Sequence, residues 1–160
     1  MIQATTSDNL TVYLQTEDNR INTSVTTSQI RFLVKFTNDM DKSKLYAYGQ
    51  DQSIYDRYTI MRFVHHDTPD VYLGRVKFLP AGYWKYEVYE VSWLGEPTLE
   101  EETAPATETQ VIEPAHPSVG VVQGLVTKGK MYVAEKDGTQ EVQYTQHPEP
   151  SGTNYIYYGQ

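Results

Sequence analysis

The densest grouping of metal-ligating side chains is His65-His66-Asp67. Adjacent residues on a strand point to opposite faces, so the two imidazoles cannot share one ion without a bend. The trio therefore reads as a strand end or turn. His116 stands among prolines and His147 precedes Pro148, so both read as loop residues. No G-x-S-x-G elbow is present, and Lys128-Gly129-Lys130 lacks both the glycine-rich approach and the following helix of a phosphate cradle. Two carboxylates on a sheet can approach within about 5–10 Å at any sequence spacing, which makes such pairs uninformative in a chain with 21 acidic residues. The expectation is a protein without catalytic, cofactor-binding or metal-binding residues: not an enzyme, and without a cofactor.

Aromatic residues are the other candidates. "GYWKYEVYEVSW" (82–93) holds five of the chain's twenty aromatics (2 Trp, 14 Tyr, 4 Phe) and threads three charges among them. Period-2 alternation places Trp84, Tyr86 and Val88 on one face of a strand, with Tyr83, Lys85, Glu87 and Tyr89 on the other. The first set reads as core. The second faces water or a neighbouring molecule, and Tyr83 and Tyr89 are candidate partner-interface residues.

The elements that must position these residues are strands. "LTVYLQ" (10–15), "QIRFLVKFT" (29–37), "SKLYAYG" (43–49), "YDRYTIMRFVH" (55–65), "VYLGRVKFL" (71–79) and the 82–93 run are rich in β-branched and aromatic residues and are bounded by turn formers. Leu10, Val12 and Leu14 share one face, as do Phe32, Val34 and Phe36. Strand character returns in "GLVTKGKMYVAE" (124–135), "EVQYT" (141–145) and "TNYIYYG" (153–159), the first two joined through the hairpin signal Asp137-Gly138.

Between them lies "GEPTLEEETAPATETQVIEPAHPSVG" (95–120), with four prolines, six glutamates, no Lys or Arg and little to bury. It reads as a loop or extended arm able to order on a partner. The expected organisation is an all-β, immunoglobulin-like β-sandwich core over 1–94, a long acidic Pro-rich loop or arm over 95–120, and C-terminal strands over 121–160 that complete the sandwich or dock on a neighbour.

Composition narrows the function. A chain of 160 residues fits one domain, long enough to bury roughly two-thirds of its unfolded surface. Without cysteine it has no disulfide, thiol nucleophile or thiolate metal site. The first residues lack the basic patch and the apolar run of about 7–15 residues of a signal peptide, and no run approaches the ~20 apolar residues of a membrane span. A soluble, unprocessed chain is expected. The net charge is −8, and without the six glutamates of 95–120 the balance is 15 acidic against 13 basic residues. Such a surface, read as unpatched, argues against a nucleic-acid partner, and without a spanning run no membrane partner is expected.

Four stretches carry a resemblance: "FLVKFTND" (32–39), "YDRYTIMRF" (55–63), "GYWKYEVYE" (82–90) and "GLVTKGKMYV" (124–133). Together they resemble the immunoglobulin-like auxiliary capsid, or decoration, proteins of tailed bacteriophages, crAss-like phages and their marine relatives. The resemblance covers most of 10–93 and resumes over 120–135. It implies a sandwich bound in many copies to the outside of an icosahedral shell, with the major capsid protein or other virion proteins as partners and no catalytic residues to carry over. Made in the host cytoplasm, such a protein would reside in the virion, on the capsid exterior. Segments 95–120 and 145–160 depart from that pattern, leaving open a neck, ring or tail address. Tyr155, Ile156, Tyr157 and Tyr158 form an uncharged stretch suited to strand addition on a neighbour or to completing its own sheet. Self-association in a symmetric assembly is compatible with the same features. A carbohydrate-binding sandwich using Tyr83, Tyr89 or Trp93 as stacking platforms is the alternative of another class, and weak glycan binding is compatible with either.

Overall fold

A computed structural model describes residues 1–137. Nine strands occur among them: β1 (Ile2–Thr5), β2 (Leu10–Leu14), β3 (Ile30–Asn38), β4 (Lys44–Tyr48), β5 (Gln50–Ile54), β6 (Thr59–His65), β7 (Arg75–Val76), β8 (Gly82–Ser92) and β9 (Val121–Ala134). A five-stranded sheet has the order β1-β9-β8-β3-β4, antiparallel except where β1 runs parallel to β9. The other sheet has the order β2-β6-β5, with β7 parallel beside β6. The protein is all-β, and the two sheets bury one main core between them.

Alternation explains the inward faces. In β2, Leu10, Val12 and Leu14 are buried while Thr11 and Tyr13 are exposed. Opposite them lie Ile30, Phe32, Val34 and Phe36 of β3 and Trp84 and Val88 of β8, with Tyr86 packed at the margin. Phe36 meets Phe63 and Phe78 edge-on at 5.4 and 5.0 Å, and Phe78 meets Trp84 at 5.7 Å. These separations suit the ring quadrupoles. Trp84 also donates from Nε1 to Pro80 O at 3.1 Å, so its one polar atom is satisfied within the core.

Glu90 continues the inward face of β8 and is fully buried. Its carboxylate accepts the backbone N–H groups of Ile21 and Asn22 at 2.9 and 2.8 Å, which draws the 20–22 loop across one end of the core. A carboxylate so placed must be hydrogen-bonded to be tolerated. Gln52 performs a similar service between the sheets. Its amide donates to Ile30 O and accepts from Phe32 N, both at 3.0 Å, on a stretch of β3 that β4 does not reach.

Several sequence expectations change. The predicted 71–79 strand shrinks to Arg75–Val76, because Asp70 Oδ1 accepts the N–H groups of Tyr72 and Leu73 and curls the chain into a turn. Residues 55–58 are a hairpin loop rather than the start of a strand, closed by Tyr55 N to Tyr58 O at 2.9 Å. The polar β5 and the short β1 carry too little alternation to be read from sequence. Strands predicted at 141–145 and 153–159 lie outside the described residues.

Replacing Trp84 by Ala should cost about 3–5 kcal/mol, because it leaves a large cavity in the core. Urea unfolding measures this. A loss below about 1 kcal/mol would show that the residue is not a core element.

Candidate functional site

The five-stranded sheet also carries apolar residues on its outer face. Leu33 of β3, Tyr48 of β4, Val91 of β8 and the following Trp93 point away from the main core and form a second cluster. Segment 95–120, which contains no strand or helix, lies over this cluster and contributes Ala104, with Leu99 packed at its edge. Contrary to the expectation of little to bury, Ala104 and Pro105 are buried. Tyr48 Oη donates to Pro105 O at 2.6 Å, Gly120 N to Thr103 O at 2.7 Å and Gly95 N to Pro117 O at 3.0 Å. A Cβ on Gly120 would fall 2.5 Å from the Trp93 ring, so only glycine allows the chain to cross the indole this closely.

An ion-pair network closes the other edge of this lid. Lys35 Nζ lies 2.6 Å from Glu108 and 3.1 Å from Glu87, its cross-strand neighbour on β8. The hydrogen bond to Glu108 is the main cause that raises the Lys35 ammonium above its ordinary value. Burial opposes ionisation of Glu108, yet hydrogen bonds from Lys35 and Tyr46 outweigh it and hold the carboxyl below the ordinary range. Burial and then the Glu108 bond push the Tyr46 hydroxyl up to about 12.

This geometry separates the residues singled out from sequence. Tyr83 is exposed, with its ring 5.1 Å from that of Tyr132 across the strand pair. Tyr89 is half-buried and packs in the second cluster beneath the lid. The two tyrosines stand six positions, about 20 Å, apart along the strand, so no joint site forms. Trp93 is 1% exposed and is not available as a stacking platform. Its outward orientation follows from alternation; what sequence reasoning missed is the lid above it. Tyr155, Ile156, Tyr157 and Tyr158 lie outside the described residues. His66 Nδ1 is 3.0 Å from Thr68 N and His116 Nδ1 is 2.8 Å from Ser118 Oγ, both contacts within local turns. Among the described residues no group of three or more potential ligands could hold a metal, and no helix is long and apolar enough to cross a membrane.

The best-formed candidate surface is a concavity of about 410 Å³ at one end of the sheet. Its walls include Trp93, Ile112 and Val119, and its rim carries Leu94, Val111 and Val121 at 74, 81 and 54% exposure. Comparable apolar side chains left in water around a hollow mark an interaction surface. Val121 also begins β9, whose pairing makes the site asymmetric. β8 lines one edge of β9 throughout, whereas β1 covers the other edge only over Met131–Ala134. Among the described residues, the edge over 121–130 therefore has no strand partner, and an uncovered edge is a template for strand addition. The hollow and the edge are contiguous.

Comparison with protein-family models, curated proteins and solved structures finds no match for the chain. The site must be read from its own chemistry.

Two further surfaces were not foreseen. Tyr13, Tyr55 and Tyr58 are exposed and adjacent, with ring centroids 6.0 and 5.0 Å apart along the row. The surface is also not unpatched: Lys35, Lys44, Lys85, Lys128 and Lys130 gather on the uncovered part of the outer sheet face. Neither grouping is visible without the strand register.

The lid should respond to acid. Because the folded Glu108 carboxyl titrates below its unfolded value, its contribution is complete above that unfolded value, about pH 4.3, and is lost as pH falls through the lower folded value. The raised Lys35 ammonium keeps the pair intact at alkaline pH until its own folded value is passed. Hydrogen-exchange protection factors at Ala104 and Gly120 should therefore fall below about pH 4 before the main core loosens. Glu108→Gln should remove that step. Protection that persists unchanged to about pH 2 would show that the pair does not hold the lid.

Proposed function

We propose that this chain is an immunoglobulin-like, non-enzymatic virion structural protein: a capsid decoration or auxiliary protein that binds the major capsid protein lattice from outside and stabilises the shell. The observation that carries this reading is the β9 edge over 121–130, without a strand partner among the described residues, beside the apolar hollow. An extended segment of a shell subunit can add to the edge through main-chain hydrogen bonds while one of its side chains fills the hollow. The motif resemblance supplies the kind of partner.

The strand order supports the immunoglobulin-like assignment. A sheet ordered β1-β9-β8-β3-β4 facing one ordered β2-β6-β5 corresponds to A′-G-F-C-C′ facing B-E-D, with the A′ strand parallel to G. The position of the usual inter-sheet disulfide is taken here by packed aliphatic and aromatic residues.

Many copies on one shell would let a small contact suffice. Engagement of several sites at once multiplies weak affinities when the geometry allows it. A neck, ring or tail adaptor would use the same docking surface at far lower copy number. A carbohydrate-binding reading draws its support from Tyr13, Tyr55 and Tyr58, since aromatic faces in water stack on sugar rings.

Purified protein added to undecorated shells of the cognate capsid protein should bind stoichiometrically and raise their resistance to heat. A double variant, Leu94→Asp with Val111→Asp, should lose binding by at least about tenfold while its own unfolding shifts by less than about 1 kcal/mol, because both side chains are exposed. No binding by the unaltered protein would remove the decoration reading, and unaltered binding by the variant would remove the hollow from it. Binding to a glycan array that is lost on Tyr58→Ala would favour the carbohydrate reading.

A further inference from the structure

The half of the outer sheet face that no described segment covers has an unusual charge order. Strand register sets Lys44 of β4, Thr37 of β3, Lys85 of β8 and Lys130 of β9 in one row, with Tyr46, Lys35, Glu87 and Lys128 in the next. Lys85 and Lys130 are direct cross-strand partners on an exposed face. Like charges so placed destabilise a sheet. Lys35 is occupied by Glu87 and Glu108, and Lys85 has one partner, the half-buried Asp39, at 3.3 Å. Among the described residues, Lys44, Lys128 and Lys130 have no carboxylate partner. In a chain of net charge −8, this is a local reversal that Glu87, Glu108 and Asp39 compensate only in part among the described residues.

The complement is on the same molecule, yet among the described residues it forms no ion pair with these lysines. Glu100, Glu101 and Glu102 are consecutive and exposed, and none forms an ion pair among the described residues. Their turn is fixed by Thr103 N and Ala104 N donating to Glu100 O at 3.1 and 2.8 Å, with Ala104 anchored beneath it in the second cluster. The field of Glu101 falls on Tyr72, on the side of the molecule where Tyr72 stacks on Tyr48 of β4. The lid's own contact with the lysines is made instead by Glu108 through Lys35. A pre-formed acidic turn and a pre-formed lysine face carry little ordering cost when they meet in another molecule.

We propose that the lysine face of one copy receives the acidic turn at 100–102 of a second copy. The contact is heterologous, joining two different patches, and repeats from copy to copy. It is separate from the hollow, while Lys128 and Lys130 stand on the stretch of β9 whose edge the docking reading uses; shell binding by Glu100→Lys with Glu102→Lys, which leaves that edge unaltered, tests the two contacts apart. Exposed charge pairs are individually weak and screened, so association should be salt-sensitive.

Sedimentation of the full chain should show mass rising with concentration at about 20 mM salt and returning to monomer near 0.5 M. Carbodiimide cross-linking of mixed isotope-labelled and unlabelled protein should join Lys128 or Lys130 of one copy to Glu100, Glu101 or Glu102 of another. The variants Lys128→Glu with Lys130→Glu, and Glu100→Lys with Glu102→Lys, should each abolish self-association, and mixing the two should restore it. That rescue separates lost contact from misfolding. A monomer at low salt, association indifferent to salt, failure of the mixture to associate, or lysine cross-links only within one copy would overturn the proposal.

Discussion

Toward their Leu33 and Val91 ends β3 and β8 are buried on both faces, and the rest of the structure depends on that constraint. Their inward side chains close the main core with β2 and β6, and their outward ones, Leu33, Val91 and the adjoining Trp93, are equally apolar. A sheet with one wet face needs a single partner layer; a sheet with two apolar faces needs a second. Segment 95–120 is that second layer. It supplies cover without regular structure of its own, through a few small residues and backbone contacts at Thr103, Pro105 and Pro117.

The cover stops where the sheet changes character. Toward one end of the outer face the residues are Leu33, Tyr48, Val91 and Trp93; toward the other they are lysines. Extending the lid over the lysines would remove several ammonium groups from water, and desolvating a charge costs more than an imperfect partner returns. Lys35 marks the boundary, with the Glu108 carboxylate brought over it at 2.6 Å. Two bulges in β9, where Gln123 and Val126 fall out of register with β8, permit the apolar end: they turn Val126 into the main core and Val122 toward the outer cluster.

Legibility from sequence followed burial pattern. β2, β3 and β8 could be placed to within a residue or two because their inward residues alternate cleanly, and the facing of Trp84, Tyr86 and Val88 follows from the same period. β5 escaped because its residues are polar and its key group, Gln52, works through a side-chain amide rather than through hydrophobicity. Glu90 was legible only as a charge among aromatics. Its position on the inward face follows from counting, but its two N–H donors come from a loop 68 and 69 residues away. The lid escaped for a related reason. A segment rich in Glu and Pro has the composition of a free arm, and only the apolar outer face of the sheet reveals why it is held.

The candidate site was legible least of all, because surfaces are properties of register. Lys44, Lys85 and Lys130 are 41 and 45 residues apart along the chain and become one row only when β4, β3, β8 and β9 are laid side by side. The apolar hollow likewise joins the end of β8, the lid's return at 111–121 and the start of β9. The lid thus has a second role beyond cover. By returning at Gly120 directly over Trp93, it delivers Val121 to both the hollow and the uncovered β9 edge, so the element that completes the fold also builds the surface through which the molecule can meet another.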